Sequence, residues 1–225
     1  MTFSLVGRCA RTGQLGAAVA SSSPAVAARC AWGRARVGAA ATQNVTDPAL
    51  GPALLDRLAA GDSAEEALAA VTAGAAHVEF RQLSVVDAAG RSAAFSGSHT
   101  LGVHATRTAA DCAAAGNLLA DARVPAAMTE AFLLDPGQSL GDRLVAALRA
   151  GRDAGGEEGP VRSAGMIVVD AVPWPVSDLR VDWTDGDPVE ELRGLWRLWR
   201  PQAEDYVTRA LDPSAAPRYG VLGDE

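Results

Sequence analysis

The sequence predicts an α+β fold, because its strand-like and helix-like stretches arrive in blocks instead of strict alternation. Three observations carry this. Two short apolar runs joined by a Gly-containing polar turn open the chain, as in a hairpin. A pair of helical segments follows, the second beginning with a capping box. Strands and then helices recur in the same order before a last strand pair and an amphipathic helix. The 225 residues carry no internal repeat or low-complexity linker and suit one domain spanning 1–225.

Thr2 to Arg8 and Leu15 to Ser21 are the first two strands, separated by Arg11-Thr12-Gly13-Gln14. Val37 to Gln43 is a third, small and apolar throughout. Pro48 to Ala60 reads as a helix ended by Gly61, and Ser63-Ala64-Glu65-Glu66 opens the next. A second hairpin runs from Arg81 to Asp87, through Ala88-Ala89-Gly90, to Ser92–Ser96. Helices are expected over Pro125–Leu134 and Leu140–Ala150, the latter stopped by Gly151. Asp153 to Pro160 is a polar, Gly-rich loop, and Ser163–Asp170 and Leu179–Trp183 read as strands. From Pro188, with Asp187 as N-cap, Val189, Leu192, Leu195, Trp196 and Trp199 form one apolar helix face. That stripe suits a core or a subunit contact, and a homo-oligomer is expected. The tail from Leu211 to Glu225 is irregular.

Composition excludes several functions. A net charge of −7 argues against nucleic acid as a partner, since phosphate binding needs a basic face. Every one of the 20 Lys or Arg positions is arginine. This removes a P-loop lysine, a Schiff-base lysine and a lysine general base. No apolar run approaches the roughly 18–20 residues that span a bilayer. The start lacks the pattern of a signal peptide. With Cys9, Cys30 and Cys112 scattered and odd in number, the expectation is a cytoplasmic protein with reduced thiols. His99 and His104 lack the spacing and the third ligand of a metal site, and no metal or organic cofactor is expected.

The chemistry is expected at the first strand. A small residue such as Thr2 permits removal of the initiator methionine. Trimming leaves a threonine whose hydroxyl is a nucleophile and whose α-amine is its own base. That amine has a reference pKa of about 7.7–8.0, so a good fraction of it is neutral near physiological pH. A turn centred on Thr12-Gly13 would pair residues summing to about 25. Thr2 is then expected beside Ser21, Ser22 and Ser23 at the open end of the sheet.

Met-Thr-Phe-Ser-Leu-Val at the start, Leu15–Ser21, Val37–Gln43 and Val85-Val86-Asp87 with Gly90 together resemble a bacterial family of Ntn-hydrolase-like proteins of unknown function. Gly116-Asn117-Leu118-Leu119-Ala120, Arg162-Ser163-Ala164, Asp178–Asp182 and Arg209–Pro213 fit the same family. The resemblance implies a four-layer α-β-β-α sandwich of two antiparallel sheets between helix layers. It also implies an N-terminal nucleophile that attacks a C–N bond in a small amide, ureido compound or short peptide-like molecule. Carried over, Thr2 is the nucleophile, Asn117 an oxyanion donor or else a structural turn amide, and Ser21 and Ser22 supporting hydroxyls. Thr42, Gln43, Arg162 and Ser163 are candidate substrate contacts, with Arg162 alternatively paired to Asp178 or Asp182. The lysine that proteasome-type members place beside the nucleophile is missing, so their proton arrangement does not transfer.

Overall fold

A computed structural model describes residues 1–221 and consists of two antiparallel sheets with helices packed against them. In chain order the elements are β1 (Thr2–Arg8), β2 (Leu15–Ser21), the one-turn α1 (Ala27–Cys30), β3 (Ala31–Arg34) and β4 (Gly38–Asn44). Helices α2 (Leu50–Ala59) and α3 (Ala64–Gly74) lead into β5 (Arg81–Asp87), β6 (Ser92–Ser96), β7 (Ala105–Ala109) and β8 (Cys112–Asn117). Then come α4 (Val124–Leu134), α5 (Leu140–Asp153), β9 (Ser163–Val169), β10 (Ser177–Val181), α6 (Pro188–Trp199) and α7 (Ala203–Leu211). The expected irregular tail therefore starts just after α7, and its residues 222–225 lie outside the described residues.

One sheet has six strands in the order β10-β9-β2-β1-β8-β7, the other four in the order β3-β4-β5-β6. Alternation along β1 decides what faces what. Phe3 and Leu5 point to a core shared with α4, α5 and α6, which contains Phe132, Leu144, Leu148, Leu192 and Trp196. Val6 points the other way, joining Ala17, Val19, Ala39, Ala41, Val86 and Ala113 between the two sheets. The far face of the smaller sheet buries Ala40, Leu83 and Val85 beneath Leu54, Leu55 and Leu68 of α2 and α3. Alanine dominates the layer between the sheets, and such short side chains let the two backbones come close.

The local signals act as expected at several ends. Ser63 Oγ accepts from the Glu66 N–H at 3.2 Å while the Glu66 carboxylate accepts from the Ser63 N–H at 2.8 Å. Asp187 accepts from the N–H groups of Val189 and Glu190, with Pro188 in the first turn of α6. Trp196 is 7% exposed, and its Nε1–H donates to Asp142, so the tryptophan stripe packs on the chain's own helices and strands. Gly151 does not stop α5, which runs on to Asp153. It is buried with Met128 Cγ only 2.8 Å from where a Cβ would stand, so its role is close packing. Positive φ instead falls at Gly155 (119°), just beyond the helix. Among the described residues, no helix is long and apolar enough to cross a membrane.

A candidate active site at the end of the central strands

The hairpin register differs from expectation by two residues. Phe3 pairs with Ala20, so residues of β1 and β2 sum to 23 and Thr2 lies opposite Ser21 itself. The cause is the connection, which spans 9–14 and is not a tight turn on Thr12-Gly13. On its other side Thr2 pairs with Asn117 of β8, and Ser21 pairs with Ser163 of β9. Ser163, Ser21, Thr2 and Asn117 thus form one row across four adjacent strands. Alternation turns all four towards the space between the sheets. All are nearly or fully buried, Thr2 being 6% exposed.

Thr2 Oγ1 lies 3.3 Å from Ser21 Oγ, and both hydroxyls donate to the carbonyl oxygen of Met1. Ser21 Oγ also accepts from the Ser23 N–H at 3.1 Å. Ser163 holds the strand exit instead: its hydroxyl donates to the Ser23 carbonyl at 2.6 Å and accepts from the Val26 N–H.

Behind this row runs a buried amide network bridging the two sheets. Ser4 donates to Gln43 Oε1 at 2.6 Å, and Gln43 Nε2 donates to Gln82 Oε1 at 2.7 Å. Asn117 Nδ2 donates to the same Gln82 oxygen at 3.1 Å. Gln82 Nε2 donates to Ser96 Oγ at 2.9 Å and to the Gly116 carbonyl at 3.0 Å. The Gly116 carbonyl can only accept, which fixes the orientation of the Gln82 amide and, through it, of Gln43 and Asn117. Asn117 Oδ1 is buried without a partner among the described residues. The atom left open is therefore an acceptor, whereas the expected oxyanion role needs a donor. Immediately after the network the chain enters left-handed backbone at Asn44 (φ 71°) and Leu118 (φ 49°). This is an uncommon conformation for a leucine.

The remaining expected residues separate. Ser22 contributes its backbone N–H, which donates to both carboxylate oxygens of Glu157 at 3.0 and 3.1 Å. Thr42 faces away from the row, its hydroxyl on the Asp47 carbonyl. Arg162 pairs with Asp185 at 2.9 Å and not with Asp178 or Asp182, because β10 begins at Ser177 and Asp178 is taken by Arg180. His99 packs edge-on to Phe80 and His104 bonds the Gly102 carbonyl, so the two rings have separate surroundings. Among the described residues no three His, Cys, Asp or Glu side chains gather as metal ligands.

Glu157 is the residue that sequence reasoning missed. It lies in Gly155-Gly156-Glu157-Glu158-Gly159, where nothing in the pattern separates it from its exposed neighbour Glu158. A bridge to Leu119 pins it beside the row, leaving it 4% exposed. Burial pushes its carboxyl up to about 7, against the opposing pull of the Met1 α-amino charge and of hydrogen bonds from the Ser22 side chain and N–H. A raised folded pKa means the folded chain holds this proton more tightly than the unfolded chain. Glu157 therefore lowers stability as pH rises from about 4.5 through 7. Chemical denaturation should find that the stability of Glu157→Gln relative to the unsubstituted chain improves across that window. The gain should reach at most about 3 kcal/mol. A pH-independent difference would show that the carboxyl titrates in its ordinary range.

The model of a family of unknown function, DUF1028, matches residues 2–192. A crystal structure of a DUF1028-family protein from Silicibacter pomeroyi is similar at 31% identity and a TM-score of 0.82, covering 91% of this chain and 94% of that one. Anbu, the ancestral beta-subunit, from Yersinia bercovieri aligns over 92% of this chain and 97% of its own, at 10% identity and a TM-score of 0.40. No curated protein matches. With its β1 nucleophile candidate at the first matched position, the chain belongs to the DUF1028 family.

Proposed function

We propose that this chain is an N-terminal-nucleophile amidohydrolase that cleaves a C–N amide or ureido bond in a small molecule or short peptide-like substrate once Met1 is removed. The observation that carries the reading is the burial of Thr2 between Ser21 and Asn117, with two hydroxyls converging on one carbonyl oxygen. Helices on the outer faces of two antiparallel sheets also suit the four-layer α-β-β-α arrangement of that superfamily.

In this mechanism Thr2 Oγ1 attacks the substrate carbonyl and the freed α-amine takes its proton. The unpartnered Asn117 Oδ1, on the residue paired with Thr2, accepts a hydrogen bond from that amine and orients it. Ser21 Oγ–H, which already donates to a carbonyl oxygen, stabilises the tetrahedral oxyanion together with backbone N–H groups. The amine returns the proton to the leaving nitrogen, and water then hydrolyses the Thr2 ester. No step requires a metal or an organic cofactor.

A second reading has its own support: with Met1 in place Thr2 is sealed, and Asn117 is tied to Gln82. A chain that keeps Met1 would be a catalytically silent binding or assembly protein. Intact mass spectrometry of untagged protein separates the two. Loss of one methionine residue, followed by a transient acyl adduct on Thr2 during incubation with an amide panel, is the expected result. Retention of Met1 in essentially all molecules would overturn the enzymatic reading.

A further inference from the structure

Met1 is held as a bound molecule would be. Its carbonyl oxygen accepts from both Thr2 Oγ1 and Ser21 Oγ. Its side chain lies along Gly159, where a Cβ would stand 3.2 Å from the Met1 Cε. The buried Glu157 carboxylate, anchored by the N–H of the residue after Ser21, feels the positive charge of the Met1 α-amino group. Among the described residues the hydrogen bonds to this carboxylate come from Ser22, through its N–H and its side chain. The carbonyl and the side chain each have their own contacts, and the α-amino charge acts on a buried carboxylate.

We propose that Met1 marks the acyl subsite and that the substrate is an α-aminoacyl amide, either an L-amino acid amide or the first residue of a short peptide. Its ammonium is held by Glu157, its carbonyl oxygen by the Ser21 hydroxyl with the carbon facing Thr2 Oγ1, and its side chain over Gly159. This rests on the N-terminal-nucleophile reading and names the substrate class of the same site. The acyl carbon now on the Thr2 nitrogen would, in the acyl-enzyme, be carried by Oγ1 of the same residue, so the surrounding groups need little rearrangement. In the reaction the Thr2 Oγ1–C bond forms and the substrate C–N bond breaks. The hydroxyl proton passes through the α-amine to the leaving nitrogen. Water then cleaves the ester, releasing a free α-amino acid and restoring Thr2. An N-acylated substrate would bring no cation to Glu157 and leave a buried carboxylate facing an uncharged amide, a costly pairing.

The test uses the full chain with Met1 removed, and compares L-methionine amide with N-acetyl-L-methionine amide by release of ammonia. The free-amine substrate should be favoured in kcat/KM by about tenfold or more, the scale of one charge-assisted contact. Glu157→Gln should reduce that preference to within about threefold, with circular dichroism reporting its fold. Gly159→Ala, a backbone-neutral change because Gly159 lacks a positive φ, should slow L-methionine amide and spare L-alanine amide. If the N-acetylated amide, or only amides without an α-amino group, are turned over in a Thr2-dependent way, the subsite proposal fails and the nucleophile reading stands. If no amide is turned over by the trimmed chain, both fall.

Discussion

Replacing Thr2 with alanine should leave the fold intact and lower kcat/KM by about a thousandfold or more. Loss of a nucleophile typically costs that much, because positioning and oxyanion contacts alone retain only modest catalysis. The fold should survive because the change deletes one hydroxyl and one methyl at the end of β1. Phe3, Leu5 and Val6, which anchor the strand in two cores, stay in place. Thr2→Ser keeps the hydroxyl and loses the methyl that restricts its rotamer, so it should recover activity to within about a hundredfold. The unsubstituted chain should gain kcat/KM with rising pH as the α-amine gives up its proton, near its reference pKa of about 7.7–8.0. Turnover by Thr2→Ala at an undiminished rate would move the chemistry to another residue.

How far the sequence foretold this arrangement depended on pattern contrast. β1, β2, β5 and β6 were legible because apolar runs alternate or are bounded by Gly turns. β8 was not, since Cys112-Ala113-Ala114-Ala115-Gly116-Asn117 is small on both faces and buried on both, leaving no alternation to detect. β7, its edge partner, was missed for want of it. α7 is not read from Ala203–Leu211, none of whose residues is buried against a core. At the site, Thr2 and Ser21 met because a hairpin is local, and only the two-residue error in the connection shifted their register. Asn117 came from a family resemblance. Gln82 and Glu157 had neither route. Each is a lone polar residue whose partners lie 14 to 39 or 135 positions away in sequence. Burial, which makes them informative, is invisible in a single chain.

Gln82→Ala should be the most destabilising single change near the site, by about 3–5 kcal/mol. Gln82 makes four hydrogen bonds, to Gln43, Asn117, Ser96 and the Gly116 carbonyl, and is fully buried between the sheets. Truncation strands those partners without water, and each unsatisfied group costs about 1–3 kcal/mol, reduced where neighbours relax. For a chain of this size the melting point should fall by about 10 °C. Gln82→Glu separates the hydrogen bonds from the volume. Its carboxylate still accepts from Gln43 and Asn117, but it loses the N–H groups that serve Ser96 and the Gly116 carbonyl. It must also bury a charge or take up a proton. An intermediate loss of stability is expected, greater at high pH than at low pH, since protonation restores one donor. The two variants also test whether the network serves the row in front of it. Asn117 is held by Gln82 and pairs with Thr2 across the sheet. Loosening that hold should therefore lower kcat more than it raises KM, because the amine that takes the proton would no longer be oriented. A fall in stability with kcat unchanged would confine Gln82 to a structural role.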